Sequence, residues 1–248
     1  MKKLIEMIKT WIKRRQQAKK PVIYCVHGFG IRRTVEFEPL RTYFEKRGHQ
    51  VVCVELFDQT NDLDIDPNEW FSRAQKGLET LIHQKRKVWL VGFSMGGVIA
   101  SRLATLYPVE RVVLLAPAFE YISLQTVINV AEKVARNVIK KPKVVISDYP
   151  LLPDHFTLVF RSIVTMCKES VNEVKVPVLF LHGSADETIP VRSSENAYAK
   201  IPHDQKLLLV VQEVNHRLLD DEVHSQDILK LIDDFFNQRL VKAINLDK

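Results

Sequence analysis

The chain has 248 residues, 46% of them hydrophobic and 27% charged, with cysteines only at Cys25, Cys53 and Cys167 and a formal net charge of +6. This composition excludes a disordered chain, a collagen-like fibre and a multi-span membrane protein, and suits one compact domain with room for an insertion. Three widely spaced cysteines make neither a disulfide framework nor a paired zinc motif, so no metal is expected and a reducing cytoplasm fits best.

The positive charge is gathered at one end. Eight lysines and arginines and one acid occupy the first twenty residues, while the remainder carries a net charge of −1. Nucleic-acid binding, which the overall basicity would suggest, is therefore not expected of the body of the protein. Residues 1–20 read as a basic amphipathic helix, with Met1, Leu4, Ile5, Met7, Ile8, Trp11 and Ile12 on one side and lysines on the other. Charges interrupt every apolar run too early for a transmembrane span or a secretory signal. Two readings of the stripe stand: it packs on the globular body, or residues 1–15 make peripheral contact with the inner membrane surface, Trp11 acting as interfacial anchor.

From Pro21 onward, short apolar runs at 22–26, 50–56, 87–91, 111–115, 176–181 and 206–211 predict six strands. Helical patterns at about 36–47, 69–84, 95–107, 191–200 and 222–240 fall between and after them. Strands apolar on both faces that alternate with helices predict an α/β protein with a mostly parallel sheet covered on both sides. The long connection after Pro117 breaks this rhythm. Its amphipathic stretch Val127–Ile139 and its Pro-punctuated Tyr149–Pro153 predict a small helical lid over 119–175, set between core segments 21–118 and 176–248.

Directly after the third strand comes Gly92-Phe93-Ser94-Met95-Gly96-Gly97 and then a helix. A Gly-x-Ser-x-Gly run at a strand-to-helix turn lifts the serine hydroxyl clear of the sheet, and the two glycines leave room where strand and helix approach. Such a serine needs a base, and the base needs an orienting acid. Asp186, in His182-Gly183-Ser184-Ala185-Asp186, and His216, after the last strand, lie downstream at strand ends in the order Ser, Asp, His. Glu187 is the rival acid. His224 is assigned to the terminal helix, His27 and His182 to the shaping of turns, and Asp220 and Asp221 to the N-terminus of the final helix. The backbone amides of Met95, in the elbow, and Phe29, in His27-Gly28-Phe29-Gly30, are the candidate donors to an oxyanion.

With Ser94 in Gly-Phe-Ser-Met-Gly-Gly, Asp186 in His-Gly-Ser-Ala-Asp, His216 after the final strand and His-Gly-Phe-Gly after the first, residues 21–240 resemble the α/β-hydrolase family. Within it, the sequence looks most like bacterial carboxylesterases and monoacylglycerol lipases with a small lid. The resemblance implies an α/β-hydrolase fold trimmed to about six strands. It also implies Ser94 as nucleophile, His216 as general base and then acid, Asp186 as orienting acid, and an oxyanion hole of the Phe29 and Met95 amides. Ile31 stands where monoacylglycerol lipases tend to carry an acid. The activity implied is hydrolysis of a small-molecule ester with an apolar acyl group, without a cofactor. A thioesterase and a scaffold that only binds its ligand are the alternatives. A dinucleotide fold is disfavoured because Arg33 occupies the place of the third glycine that a Gly-x-Gly-x-x-Gly loop requires, although Glu55 ends the next strand.

Overall fold

A computed structural model describes residues 6, 20–30, 32–120 and 155–240. Its centre is a six-stranded sheet in the order β2-β1-β3-β4-β5-β6, every ladder parallel. The strands are β1 (Val22–Val26), β2 (Val51–Val54), β3 (Val88–Phe93), β4 (Arg111–Leu115), β5 (Val178–Gly183) and β6 (Lys206–Val211). All six lie where hydropathy predicts them, though β3 and β5 each run two residues further. β3 continues through Gly92 and Phe93, which pair with Leu114 and Leu115 of β4, and β5 continues through His182 and Gly183, paired with β6. Gly92 is carried along by ladders to β1 and β4 on either side, and Gly183 by the ladder to β6 alone.

Side chains of each strand alternate between two apolar layers. Val22, Tyr24 and Val26 of β1 join one cluster, and Ile23 and Cys25 join the other. The first layer is closed by α2 (Pro67–His83), α3 (Met95–Leu106), α4 (Phe156–Cys167) and α5 (Arg192–Lys200); the second by α1 (Glu38–Glu45) and α6 (Ser225–Phe236). Short 3₁₀ turns at Arg33–Phe37, Lys168–Glu173 and Leu218–Asp220 complete the framework. Local sequence explains several boundaries. Asp66 accepts the Asn68 amide at 2.8 Å and Pro67 follows it, a capped start for α2. α1 starts at Glu38 with Pro39 inside its first turn, two residues later than predicted, because Arg33–Phe37 winds as a tighter 3₁₀ turn.

Of the segment 119–175, Phe156–Cys167 forms the α-helix α4 and Lys168–Glu173 a 3₁₀ turn. Phe156, Val159, Phe160, Ile163, Val164 and Cys167 of α4 are buried in the first layer beside α2 and α3. The predicted Val127–Ile139 helix, the Tyr149–Pro153 piece and, except for Glu6, the amphipathic stretch at 1–19 lie outside the described residues. No helix among the described residues is long and apolar enough to cross a membrane.

Candidate active site

The carboxyl ends of the parallel strands converge on one edge, and the sequence-predicted residues stand there. Ser94 joins β3 to α3 at φ +53°, ψ −118°, a backbone conformation costly for a residue with a Cβ. The surroundings enforce it. The Ser94 amide donates to Leu115 O at 2.9 Å, and its carbonyl accepts from the amides of Gly97 and Ala118 at 3.0 and 3.1 Å. A Cβ at Gly96 would stand 2.0 Å from Val26 O, and one at Gly92 would stand 2.4 Å from Gly96 O, so only glycine lets the elbow close this tightly. Ser94 is 6% exposed.

Asp186 follows β5 in a loop stitched to the one after β6: the Ala185 amide donates to Val214 O at 2.9 Å, and the Glu213 amide to Ser184 Oγ at 2.9 Å. This stitching brings His216 Nδ1 to 2.7 Å from Asp186 Oδ2. The other carboxylate oxygen accepts the Thr188 and Ile189 amides at 2.9 and 2.8 Å. Burial alone would raise the carboxyl, but hydrogen bonds from His182, His216 and the Ile189 amide outweigh it and hold Asp186 well below the usual carboxylate range. Asp186 is therefore an anion at neutral pH, and it fixes the proton of His216 on Nδ1, leaving Nε2 as the basic nitrogen. The His216 ring also packs against Phe93, centroid to centroid 4.8 Å. Ser94 Oγ and His216 are not hydrogen-bonded to each other; the serine forms no side-chain hydrogen bond among the described residues.

His182 does more than shape a turn. Buried beneath the acid, its Nε2 lies 3.0 Å from Ile189 O and 3.1 Å from Asp186 Oδ2, and its Nδ1 lies 2.7 Å from Ser194 Oγ. This assigns the ring hydrogen to Nε2, with Ser194 donating to Nδ1. Nothing in the sequence pattern announces it except a histidine four residues before the acid. The rival residues fall elsewhere. Glu187 forms no hydrogen bond with His216. His224 precedes α6, its amide and Nδ1 both bonded to Asp221 Oδ1. Asp221 stands just before α6, its Oδ1 accepting the Val223 and His224 amides at 3.0 and 2.8 Å. Asp220 instead pairs with Arg32, 188 residues away in sequence, because the turn after His216 folds back against the loop after β1.

That loop is held by hydrogen bonds and close packing. His27, fully buried, donates from Nδ1 to Gly28 O at 2.7 Å and accepts the Leu56 amide on Nε2 at 3.0 Å. Burial lowers its pKa to about 4, so the neutral ring that this pairing requires is the form present. A Cβ at Gly28 would lie 3.0 Å from the Phe93 ring and 3.1 Å from Ser94 Cβ, so the loop rests directly on the elbow. The amides of Phe29, in this loop, and Met95, the first residue of α3, donate to no partner among the described residues. A helix N-terminus leaves such a donor free. Past Gly30 the chain turns into the 3₁₀ segment, where Arg33 pairs with Glu55 at 3.1 Å; a phosphate-cradling helix start does not form there.

A strained serine at an elbow and a buried aspartate bonded to a histidine stand at the carboxyl edge of an open parallel sheet, the arrangement a hydrolase site calls for. The chain belongs to the alpha/beta hydrolase family, whose model matches residues 23–228. Solved structures share the fold at low identity. Paleococcus ferrophilus monoacylglycerol lipase is 18% identical over 90% of this chain and 96% of its own, with a TM-score of 0.67. Carboxylesterase CesB from Bacillus subtilis is 17% identical over 87% and 83%, TM-score 0.59. The meta-cleavage product hydrolase from Pseudomonas fluorescens is 18% identical over 89% and 92%, TM-score 0.65. Among curated proteins none matches the sequence.

Proposed function

We propose that the protein is a serine hydrolase acting on carboxylic esters with an apolar acyl group. Ser94 Oγ attacks the carbonyl carbon while its proton passes to His216 Nε2, and Asp186 stabilises the imidazolium. The carbonyl oxygen, now negative, is received by the Phe29 and Met95 amides. Collapse breaks the bond to the alcohol oxygen, which takes the proton from His216. Water, deprotonated by the same nitrogen, then hydrolyses the acyl-enzyme and frees Ser94.

The observation that carries this reading is the 2.7 Å Asp186–His216 hydrogen bond at the sheet edge that also holds the strained Ser94. The Ser94–His216 hydrogen bond that this mechanism requires is of the kind that tightens when substrate binds. The apolar acyl group is supported by the aromatic wall beside the elbow: the Phe29 ring lies 5.4 Å from Phe160 and 6.4 Å from Phe57, with Trp70 stacked behind Phe57 at 4.3 Å.

A fluorophosphonate probe and p-nitrophenyl esters from acetate to palmitate test the proposal. Wild-type protein labels and turns over esters, and Ser94→Ala does neither. Esterase activity undiminished in Ser94→Ala would refute it, and a wild type that neither labels nor hydrolyses any ester would favour the ligand-binding scaffold.

A further inference from the structure

Behind the site lies a small cavity lined by Glu36, Phe93, Leu115, Arg217, Leu219 and Asp220. Glu36 belongs to the 3₁₀ turn that follows the Phe29 loop, and its Oε2 accepts the Gly28 amide at 3.4 Å. Gly28 is thereby held from both sides: its amide by Glu36, its carbonyl by His27 Nδ1. The peptide bearing that carbonyl is the one whose N–H belongs to Phe29. The cavity's other wall carries Phe93, the ring on which His216 packs, and Arg217, the residue after His216. One carboxylate thus touches the loop that presents the oxyanion donor and faces the loop that carries the base.

We infer that Glu36 is a positioning residue of the hydrolytic reaction, aligning the Phe29 amide through its hold on Gly28. The inference rests on the ester-hydrolase reading above. The ionised carboxylate is the stronger acceptor for the Gly28 amide. The charged groups facing it are Arg32, on its own side of the cavity, and Arg217 and Asp220 from the turn after His216; the two arginines favour ionisation and Asp220 opposes it. Burial outweighs the arginines and raises the carboxyl to about 7, so its grip on Gly28 strengthens as pH rises through neutrality. Alignment of an oxyanion donor matters in the transition state and not in the bound ester, so its loss lowers kcat and leaves KM in place.

The test uses the full chain with p-nitrophenyl butyrate from pH 5 to 9, comparing wild type, Glu36→Ala, Glu36→Gln and Ser94→Ala. Glu36→Ala is expected to lose about tenfold or more in kcat with KM within about twofold, a fraction of what removal of a whole oxyanion donor costs. Glu36→Gln keeps an acceptor and recovers most of that kcat, while the component of the acid limb near pH 7 disappears. Wild-type kcat and an unchanged pH profile in Glu36→Ala would overturn the inference while Ser94→Ala remained dead. So would equal losses in both Glu36 variants accompanied by a raised KM and a lowered melting temperature, the mark of a purely structural group. If Ser94→Ala retains full activity, the ester-hydrolase reading falls first and the role of Glu36 with it.

Discussion

The ring of Phe93 lies 4.8 Å from the imidazole of His216, tilted by 40°, so the residue before the candidate nucleophile is also the floor under the candidate base. The long sequence separation of these two residues hides a contact that couples the elbow to the histidine loop. Phe93→Leu keeps an apolar side chain but removes the flat face. The imidazole then gains freedom to rotate about its bond to Asp186, and small misplacements of catalytic groups are costly. The expected result is a fall in kcat of about tenfold with KM little changed, measured on a short p-nitrophenyl ester with circular dichroism confirming the fold. Full activity would show that Asp186 alone fixes the ring.

Asp186→Asn should cost far more. In Ser-His-Asp triads an amide in place of the acid stabilises the wrong imidazole tautomer and lowers turnover by about 10⁴. Here the substituted side chain would present its amide nitrogen either to His216 Nδ1, which must then lose its proton to accept, or to the Thr188 and Ile189 amides, where donor faces donor. Stability gives a second readout. A carboxyl depressed in the folded state contributes stability above its unfolded pKa, and that contribution is lost as pH falls through the folded value. Wild type should therefore lose more stability than Asp186→Asn between pH 5 and pH 2, read as urea midpoints. A difference between the two proteins that does not change over that interval would contradict the assignment of Asp186 as a strongly held anion.

Much of this architecture is legible in the chain because it depends on short-range chemistry. Six apolar runs separated by helical periods specify a parallel sheet, and Gly92, Ser94 and Gly96 specify an elbow whose sterics the backbone then obeys. The order and strand-end positions of Asp186 and His216 follow from the same pattern. What the sequence conceals depends on contacts between distant segments. Strand ends at His182 and Gly183 are set by hydrogen bonds to β6, which no local pattern records. The second imidazole under Asp186 and the hold of Glu36 on Gly28 exist only once the loops after β1, β5 and β6 are folded together. α4 is a different case: Phe156, Val159, Phe160, Ile163, Val164 and Cys167 have helical spacing, but the apolar run reads equally as part of an insertion until its packing beside α3 is known.

The contact between β1 and α2 offers a test of the core itself. Tyr24 Oη donates to Ala74 O at 2.7 Å, and a Cβ on Gly77 would stand 2.2 Å from that phenolic oxygen. Gly77→Ala must displace the phenol and break its bond, an overpacking cost of about 1–3 kcal/mol beyond any gain in helix propensity. Tyr24→Phe removes the obstructing oxygen and leaves Ala74 O without this donor, costing about 1–2 kcal/mol. The double variant should be more stable than the sum of the two losses, with a coupling on the order of 1 kcal/mol in urea unfolding. Strict additivity would mean that the helix shifts away from β1 when Gly77 is replaced.

Substrate choice should be set by the aromatic wall. Phe160 of α4 is buried with its ring centroid 5.4 Å from that of Phe29, so in the proposed mechanism its ring bounds the space beside the proposed Phe29 oxyanion donor. Phe160→Ala opens that space, and each methylene a pocket accepts or refuses changes the transition-state free energy by about 1–3 kcal/mol. The ratio of kcat/KM for p-nitrophenyl octanoate to that for the butyrate should rise by about tenfold or more. Ile163→Ala, on the same helix and also buried, leaves a cavity too and serves as control. If both variants lower activity on every ester without changing the ratio, the acyl chain runs elsewhere and Phe160 only supports the fold.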